Sequence, residues 1–296
     1  MRDAVISLVI PTLDAEQDIE TLLEKLSIQS ITIDELVVVD SASDDRTAEI
    51  VSAFAESHPN VSLRAIKRED FDHGKTRDKA LREWTTGEFV LFMTQDAVPA
   101  DKHYVDDILK PFEDPMVGVV SGRQLPKADA RLFERLVRGF NYPDHSFKRG
   151  KDDLLRYGVK TFFTSDVCSA YRRSAYMEVG GFCRTMMSED MYLAARLVAA
   201  GYLVAYAADA CVYHSHNLTP KQQYVRNYAV GRFLEEHADV LMGVSEIGEG
   251  KKLAMNVGGQ LLKGGHVGEL CSFGVDCVAR LLGNRAGRRD ARNERN

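Results

Sequence analysis

The chain has 296 residues, of which 45% are hydrophobic and 28% are charged, and its formal net charge is −6. This composition is typical of a soluble globular protein with a large core, and the acidic balance argues against a general nucleic-acid binder, which would normally be basic. The five cysteines include no Cys-x-x-Cys pair, which argues against a disulfide framework or a structural zinc site and favours a reducing compartment.

The N-terminus and the hydropathy pattern indicate where the protein works. The first residues run straight into a short apolar segment, without the longer apolar region and cleavage site of a signal peptide. No apolar run approaches the roughly 20 residues that cross a bilayer. We therefore expect a cytoplasmic protein, either free or held peripherally at the inner face of the cell membrane.

The first half of the chain alternates short apolar runs with amphipathic segments, which predicts a mostly parallel sheet covered by helices. The predicted strands are residues 5–10, 35–39, 61–66 and 89–93, and the predicted helices are residues 15–26, 45–56 and 75–84. Ligands of such sheets bind beyond the carboxyl ends of the strands. Those ends carry the polar segments Pro11-Thr12, Asp40-Ser41 and Thr94-Gln95-Asp96, where we expect the site.

The second half predicts fewer strands and a helical end. Strands are expected at residues 117–121 and 203–207, and a helix at 190–200. Thr219, Pro220 and Gln222 predict a capping box that opens a helix running to about residue 242. Residues 270–282 fit a short amphipathic helix, and we expect the arginine-rich tail 284–296 to fray.

The turns after the strands contain neither a Gly-x-Gly-x-x-Gly fingerprint nor a Walker motif, which argues against dehydrogenases and P-loop enzymes. Asp40, at a strand end, is better explained as a ligand for a base or ribose than as a cap, whereas Asp44 or Asp45 could equally cap the next helix. Asp96 emerges from a buried strand, and a divalent cation would offset its desolvation. Capping of the next turn explains Asp96 equally well.

Two further segments can be explained either by a functional role or by helix structure alone. Lys75 and Arg77 at a helix start suit a diphosphate, although basic residues on a helix face are usually just solvated. Glu189 and Asp190 open another helix, where capping by Ser188 and the helix dipole would explain them without catalysis.

A pair of histidines follows the last predicted strand. His214 and His216 are two residues apart, so they lie on the same side of an extended segment. Such a pair is a reasonable contact for a metal or a phosphate, although a lone histidine is more often structural.

Taken together, these segments resemble the inverting glycosyltransferases of family 2, which have a GT-A fold. The order of the segments carries the resemblance, which covers about residues 5–242. The sequences Phe71-Asp72-His73-Gly74, Thr94-Gln95-Asp96-Ala97-Val98-Pro99 and His214-Ser215-His216-Asn217 are most similar to the rhamnosyltransferase branch. The resemblance implies an α/β fold with a GT-A domain over residues 1–217, divided into a nucleotide-binding half (about 1–100) and an acceptor half (about 101–217), and a helical C-terminal extension over 218–296.

The resemblance also implies roles for individual residues. Asp190 would be the catalytic base with Glu189 beside it, and Asp96 with His214 would hold a divalent metal, Mg or Mn. One departure leaves the set of metal ligands open, because many relatives carry Asp-x-Asp where this chain has Gln95-Asp96-Ala97. The implied donor-binding residues are Pro11, Thr12, Asp14, Asp40, Ser41, His73, Arg77 and Gln95, and the implied acceptor residues are Ser165, Asp166 and His216.

The function implied is transfer of a sugar, with rhamnose from dTDP-rhamnose favoured, to a saccharide or lipid-linked acceptor in bacterial cell-surface polysaccharide synthesis. The alternatives are a UDP-hexose donor and an inactive sugar-nucleotide-binding scaffold. A sugar nucleotidyltransferase is disfavoured because residues 10–19 contain no Gly, Lys or Arg. No nucleic-acid partner is expected, and the sequence does not indicate an oligomeric state.

The C-terminal segment leaves two interpretations open. The apolar side of residues 270–282, followed by Arg285, Arg288, Arg289 and Arg292, fits docking on anionic lipid. A helix that packs in a core or a dimer and ends in a solvated tail explains the pattern at least as well.

Overall fold

The computed structural model describes residues 4–185, 187–241 and 247–295. Within these residues nine strands form one sheet, in the order β3-β2-β1-β4-β8-β6-β9-β5, and β7 pairs with β9. The strands are β1 (Ile6–Thr12), β2 (Glu35–Asp40), β3 (Val61–Ala65), β4 (Phe89–Met93), β5 (Val98–Pro99), β6 (Val117–Leu125), β7 (Phe147–Arg149), β8 (Cys168–Arg172) and β9 (Leu203–Tyr213).

The first half of the sheet is parallel and the second half is antiparallel. β1 pairs in parallel with β2 and β4, and β2 pairs in parallel with β3, whereas β8 runs antiparallel to both β4 and β6. Every residue of β1 and β4 is buried, as expected for strands covered on both faces. The α/β fold class is confirmed, and the parallel register brings the carboxyl ends of β1, β2 and β4 to one edge.

The helices are α1 (Ile19–Ser27), α2 (Thr47–Ser57), α3 (His73–Lys79), α4 (Tyr104–Leu109), α5 (Leu132–Asn141), α6 (Leu154–Tyr157), α7 (Arg173–Glu178), α8 (Glu189–Ala199), α9 (Pro220–Glu236), α10 (Ile247–Lys263) and α11 (Val267–Arg295). α1 buries Ile19, Leu22, Leu23 and Leu26, whose spacing places them on one face of the helix. The helix predicted over residues 75–84 is instead α3 followed by a π-helical segment, Ala80–Trp84. No described helix combines the length and apolar character needed to span a bilayer.

The C-terminal helices depart from the prediction. Thr219 and Gln222 form the predicted capping box, but α9 ends at Glu236, and residue 242 lies outside the described residues. The tail predicted to fray is helical as far as Arg295. The reason is close packing on α9: a side chain at Gly287 would meet the carbonyl oxygen of Tyr228 at 2.0 Å, so only glycine lets the two backbones approach.

The described chain divides into two compact units. The first comprises the residues up to 124 together with 144–153 and 161–214, and it contains the main core under the sheet. The second comprises residues 125–143, 154–160 and those from 215 onward. Its separate core is formed by Phe133, Val137, Val257, Leu261 and Phe273.

Candidate functional site

A cavity of about 440 Å³ lies in the first unit, at the carboxyl edge of the parallel strands. The ends of β1, β2 and β4 supply one part of its wall, and α3 with the segment before it supplies another. The lining residues are Pro11, Thr12, Leu13, Ser41, Arg68, Phe71, His73, Arg77, Thr94, Gln95 and Asp96. The structure thus brings together six of the eight residues predicted to bind a donor, but Asp14 and Asp40 are not among those that line the cavity.

Two hydroxyl groups of the cavity wall point to a polar ligand. Ser41 Oγ and Thr94 Oγ1 are buried and have no hydrogen-bond partner among the described residues. A buried hydroxyl without a partner costs roughly 1–3 kcal/mol, so such groups are normally satisfied by protein, water or ligand. A ligand with polar oxygens or nitrogens would satisfy both groups.

Asp40 and Asp14 shape the wall rather than line it. The Asp40 carboxylate is 4% exposed and accepts hydrogen bonds from the backbone N–H and the hydroxyl of Ser43. Asp14 accepts a hydrogen bond from the backbone N–H of Asp44 and lies 3.6 Å from Arg68. These contacts hold the turn after β2, in which Ala42 has a positive φ of 58° that is strained for a residue other than glycine.

Gln95 joins two strand ends. Its Oε1 accepts from the backbone N–H of Leu13 at 2.8 Å, and its Nε2 donates to the carbonyl of Leu13 at 3.0 Å. The amide therefore ties the end of β4 to the end of β1 and fixes the width of the cavity there.

α3 is anchored so that His73 and Arg77 line the cavity. Asp72 caps the helix, because its carboxylate accepts from the backbone N–H groups of Lys75 and Thr185. Burial and, to a lesser extent, the nearby Arg77 guanidinium lower the pKa of His73 to about 4. The neutral ring accepts a 3.0 Å hydrogen bond from Arg77 Nη1 at Nδ1.

Asp96 and His214, the two residues predicted to hold a metal, lie side by side. Asp96 Oδ2 lies 3.4 Å from His214 Nε2, and the other ring nitrogen, Nδ1, lies 3.0 Å from the side-chain oxygen of Gln124. Gln124 Nε2 donates to Ser165 Oγ, which orients the amide so that its oxygen receives the Nδ1 proton. With that proton on Nδ1, Nε2 faces the Asp96 carboxylate, and a cation between the two groups would suit this arrangement.

Two carboxylates share one buried guanidinium, and a third carboxylate lies beside them. Arg77 Nη1 lies 3.2 Å from Glu189 Oε1, and Arg77 Nε lies 3.7 Å from Asp166 Oδ2. Asp190 Oδ2 accepts a 3.4 Å hydrogen bond from the backbone N–H of Asp166. Arg77, Asp166 and Glu189 are each at most 5% exposed. Because Arg77 also lines the cavity, the carboxylate cluster Asp166, Glu189 and Asp190 adjoins the cavity wall.

The pKa values of the three carboxyl groups in this cluster are raised. Burial raises the pKa of Asp166 to about 6, against the opposing effect of Arg77. Burial also raises the pKa of Glu189, and it raises the pKa of Asp190 well above the usual carboxyl range, with further contributions from the charges of Glu189 and Asp166. A carboxyl group with a raised pKa is the stronger base when it is ionised.

The cap expected from Ser188 is absent. Ser188 precedes α8 with a left-handed φ of 66°, and its side chain makes no capping hydrogen bond. Capping therefore does not explain Glu189 and Asp190, and backbone strain of this kind tends to occur at functional sites.

The three predicted acceptor residues do not form one group in the structure. Ser165 belongs to the Gln124–His214 chain of hydrogen bonds, and Asp166 belongs to the carboxylate cluster. His216 is exposed and falls in the second unit.

Sequence reasoning missed Arg68, Phe71 and Gln124 as contributors to the site. Arg68 and Phe71 both follow β3 and line the cavity. The only sequence signal of Arg68 was its position beyond a strand end, whereas Phe71 stood in the segment Phe71-Asp72-His73-Gly74 that carried the resemblance but was given no role. Gln124 lies in β6 beyond the predicted end of that strand at residue 121.

Residues 7–180 match the model of Glycosyl transferase family 2, and the chain belongs to this family. It is 39% identical over 229 residues to the O-antigen chain rhamnosyltransferase RfbN of Salmonella typhimurium, a match that covers 77% of this chain and 72% of the relative. It is 41% identical over 200 residues to the O-antigen chain rhamnosyltransferase WbaN of Salmonella anatum, covering 67% of this chain and 62% of that relative.

Solved structures show a similar fold. The mannosyltransferase PcManGT from Pyrobaculum calidifontis, in complex with GDP-Man and Mn²⁺, has a TM-score of 0.66 at 17% identity, over 99% of this chain and 88% of the other. Residues 1–349 of TarS from S. aureus, in complex with UDP-GlcNAc, have a TM-score of 0.57 at 17% identity, over 97% of this chain and 92% of the other. These likenesses support the GT-A fold of this chain.

Proposed function

We propose that this protein transfers rhamnose from dTDP-rhamnose to a saccharide or lipid-linked acceptor during synthesis of a bacterial cell-surface polysaccharide. Family membership supports sugar transfer, and the names of the two Salmonella relatives support the sugar and the pathway. The observation that carries the proposal is the position of Arg77. Its guanidinium lines the cavity and contacts both Asp166 and Glu189, so a donor in the cavity would lie beside the carboxylates.

Asp96 and His214 fit a divalent cation. Both Mg²⁺ and Mn²⁺ bind carboxylate oxygens, whereas an imidazole nitrogen is a better ligand for Mn²⁺ than for Mg²⁺. Such a cation supplies charge neutralisation for the diphosphate leaving group. Gln124 orients His214 by accepting its Nδ1 proton, and Asp96 lines the cavity where a diphosphate would lie.

The side chains divide the remaining work between them. In the proposed reaction Asp190 accepts the proton of the acceptor hydroxyl as that oxygen attacks the anomeric carbon, and the single displacement inverts the configuration of the sugar. Glu189 holds Arg77, and Arg77 offers positive charge at the cavity wall. Ser41 and Thr94 would donate or accept hydrogen bonds to the polar atoms of the donor.

The test is release of nucleoside diphosphate from dTDP-rhamnose, UDP-glucose and UDP-galactose, with and without Mg²⁺ or Mn²⁺, in the presence of a glycolipid extract as acceptor. We expect metal-dependent release from dTDP-rhamnose and a loss of roughly 10²–10⁴-fold in Asp190→Asn, which removes the base. Asp152→Asn, which changes an exposed carboxylate outside the site, should match the wild type.

The other outcomes separate the alternatives. Turnover of a UDP-hexose and not of dTDP-rhamnose would show that the donor is a UDP-hexose and that the reaction is still sugar transfer. Nucleotide-sugar binding with metal but without turnover would indicate a binding scaffold. Failure to bind any nucleotide with metal present would overturn the transferase proposal.

A further inference from the structure

The outward face of α11 carries an apolar stripe that no described part of the second unit covers. Val267, Val275, Val278, Leu281 and Leu282 are each at least 50% exposed. Cys271 on the same stripe is exposed as well. At 100° per residue these positions fall on one side of the helix, over about 22 Å of its length. A contiguous exposed stripe of this kind marks an interaction surface more often than single exposed apolar residues do.

The opposite face of α11 is already used. Phe273, Asp276, Gly283, Gly287 and Ala291 are its buried residues. Phe273 belongs to the core of the second unit, and side chains at Gly283 and Gly287 would collide with the backbone of α9. The stripe is therefore a separate face and not the edge of the internal packing.

Arginines continue the stripe toward the C-terminus. Arg285, Arg289 and Arg292 project from the same arc of about 120°, again at 100° per residue, and all three are exposed. Arg292 also reaches Glu235, and Arg289 reaches Asp290. Arg288, which the sequence pattern grouped with them, is instead half-buried beside Glu235 and Asn284. The acidic residues of α11 lie on the other side of the helix: Glu269, Asp276, Asp290 and Glu294.

We propose that the outward face of α11, from Val267 to Arg292, docks on an anionic lipid bilayer. A helix that lies in the membrane interface buries an apolar face among acyl chains, while its basic residues meet lipid phosphates. Along α11 the apolar residues come first and the arginines follow them. The formal net charge of the whole protein is −6, so the charge of this face is opposite to that of the whole chain.

Charge also disfavours a second copy of the chain as the occupant. The outward arc itself contains no carboxylate, so a copy that docked through the same arc would place the arginines against other arginines or against apolar side chains. Anionic lipid neutralises them. The proposal depends on this surface alone and not on the transfer reaction.

The experiment is co-sedimentation of the full chain with vesicles of phosphatidylcholine containing about one third phosphatidylglycerol, and with vesicles of phosphatidylcholine alone. We expect binding to the anionic vesicles only, weakened by salt because phosphate–arginine attraction is screened. Arg285→Gln with Arg289→Gln should lower the partition coefficient about 25-fold, since each arginine near an anionic surface is worth about fivefold. Val278→Glu with Leu282→Glu should abolish binding.

The controls change similar residues elsewhere. Arg64→Gln removes an exposed arginine, and Ile28→Glu replaces an apolar side chain that is 61% exposed. Both should bind as the wild type does. Unchanged binding in the α11 variants, or no binding to anionic vesicles, would overturn the proposal. Dimerisation that Val278→Glu with Leu282→Glu abolishes would assign the face to a second copy instead.

A second measurement keeps all the arginines and apolar side chains of the face and labels its cysteine. An environment-sensitive fluorophore attached to Cys271 should shift its emission to the blue on addition of anionic vesicles. A fluorophore at Ile28→Cys, in a chain that also carries Cys271→Ser, should not respond. An unshifted spectrum at Cys271 would contradict insertion of this face.

Discussion

Arg77 supplies one positive charge to a buried cluster that contains Asp166, Glu189 and Asp190. Three carboxylates around one guanidinium cannot all ionise at low cost, because each negative charge raises the pKa of the others. The cluster therefore holds at least one carboxyl whose pKa is raised toward neutrality, which suits a group that must take a proton from a hydroxyl.

The pH dependence of turnover follows from this arrangement. Asp190 must be ionised to act as a base, so kcat/KM should fall as the pH falls through its raised pKa, above the usual carboxyl range near 4. Asp166→Asn removes a neighbouring negative charge that raises the pKa of Asp190, so its acid limb should move to lower pH. Profiles of kcat/KM between pH 4.5 and 8.5 test this, with Asp152→Asn as the control. An acid limb at the same pH in both variants would contradict the coupling.

Gln124 is a positioning residue for His214. Gln124→Leu removes the acceptor of the Nδ1 proton, so Mn²⁺ affinity should fall about 10–100-fold, as for other partners of metal-binding histidines. Gln124→Glu keeps an acceptor oxygen and should retain most of the affinity. Calorimetric titration with Mn²⁺ measures both variants. Equal losses in the two variants would mean that Gln124 acts only by packing.

The elements that the sequence predicts well are those determined by local pattern. β1, β2 and β4 are continuous apolar runs, and the polar residues after them form the cavity, as expected for parallel strands. The capping box before α9 is also local, since Thr219 and Gln222 are three residues apart.

The features that the sequence did not predict depend on contacts between distant residues. Gln124 and His214 are 90 positions apart, and no local pattern indicates their hydrogen bond. The arginine-rich end of α11 looks solvated by composition, but Gly283 and Gly287 dock it against α9. The contacts of Asp40 were not predicted for the same kind of reason, because its carboxylate accepts a hydrogen bond from Ser43 in a turn that periodicity does not describe.

α3 depends on a close approach that only glycine allows. A Cβ at Gly74 would lie 1.8 Å from the carbonyl oxygen of Cys183, in the loop that leads to Glu189. Gly74→Ala should therefore lower the free energy of unfolding by about 1–3 kcal/mol, the usual cost of overpacking, and displace His73 and Arg77 from the cavity.

The matched control for Gly74→Ala is Gly139→Ala in α5, where a Cβ would meet no atom within 4 Å. It should stabilise by up to about 1 kcal/mol through helix propensity. Urea titration and donor affinity report on both variants. If Gly74→Ala had the stability and donor affinity of the wild type, the loop at Cys183 would be able to move away from the added methyl group without cost.

At the scale of the whole molecule, the two units have separate cores and separate determinants of stability. The first unit is organised around the sheet, with its apolar strands buried on both faces. The second depends on helix packing in which Gly231, Gly283 and Gly287 let α9 and α11 meet backbone to backbone. Changes in one unit should therefore be measurable apart from changes in the other.

Two alanine substitutions in α11 test this directly. Gly287→Ala and Gly274→Ala gain the same helix propensity, roughly 1 kcal/mol, but a Cβ at 287 would meet the carbonyl oxygen of Tyr228 at 2.0 Å, whereas one at 274 meets nothing within 4 Å. We expect Gly274→Ala to slow hydrogen exchange in α11 and Gly287→Ala to accelerate it in α9 and α11. Protection of β1, β2 and β4 should not change, because their amide hydrogen bonds belong to the sheet of the first unit. Faster exchange in those strands as well would show that the molecule unfolds as one cooperative body.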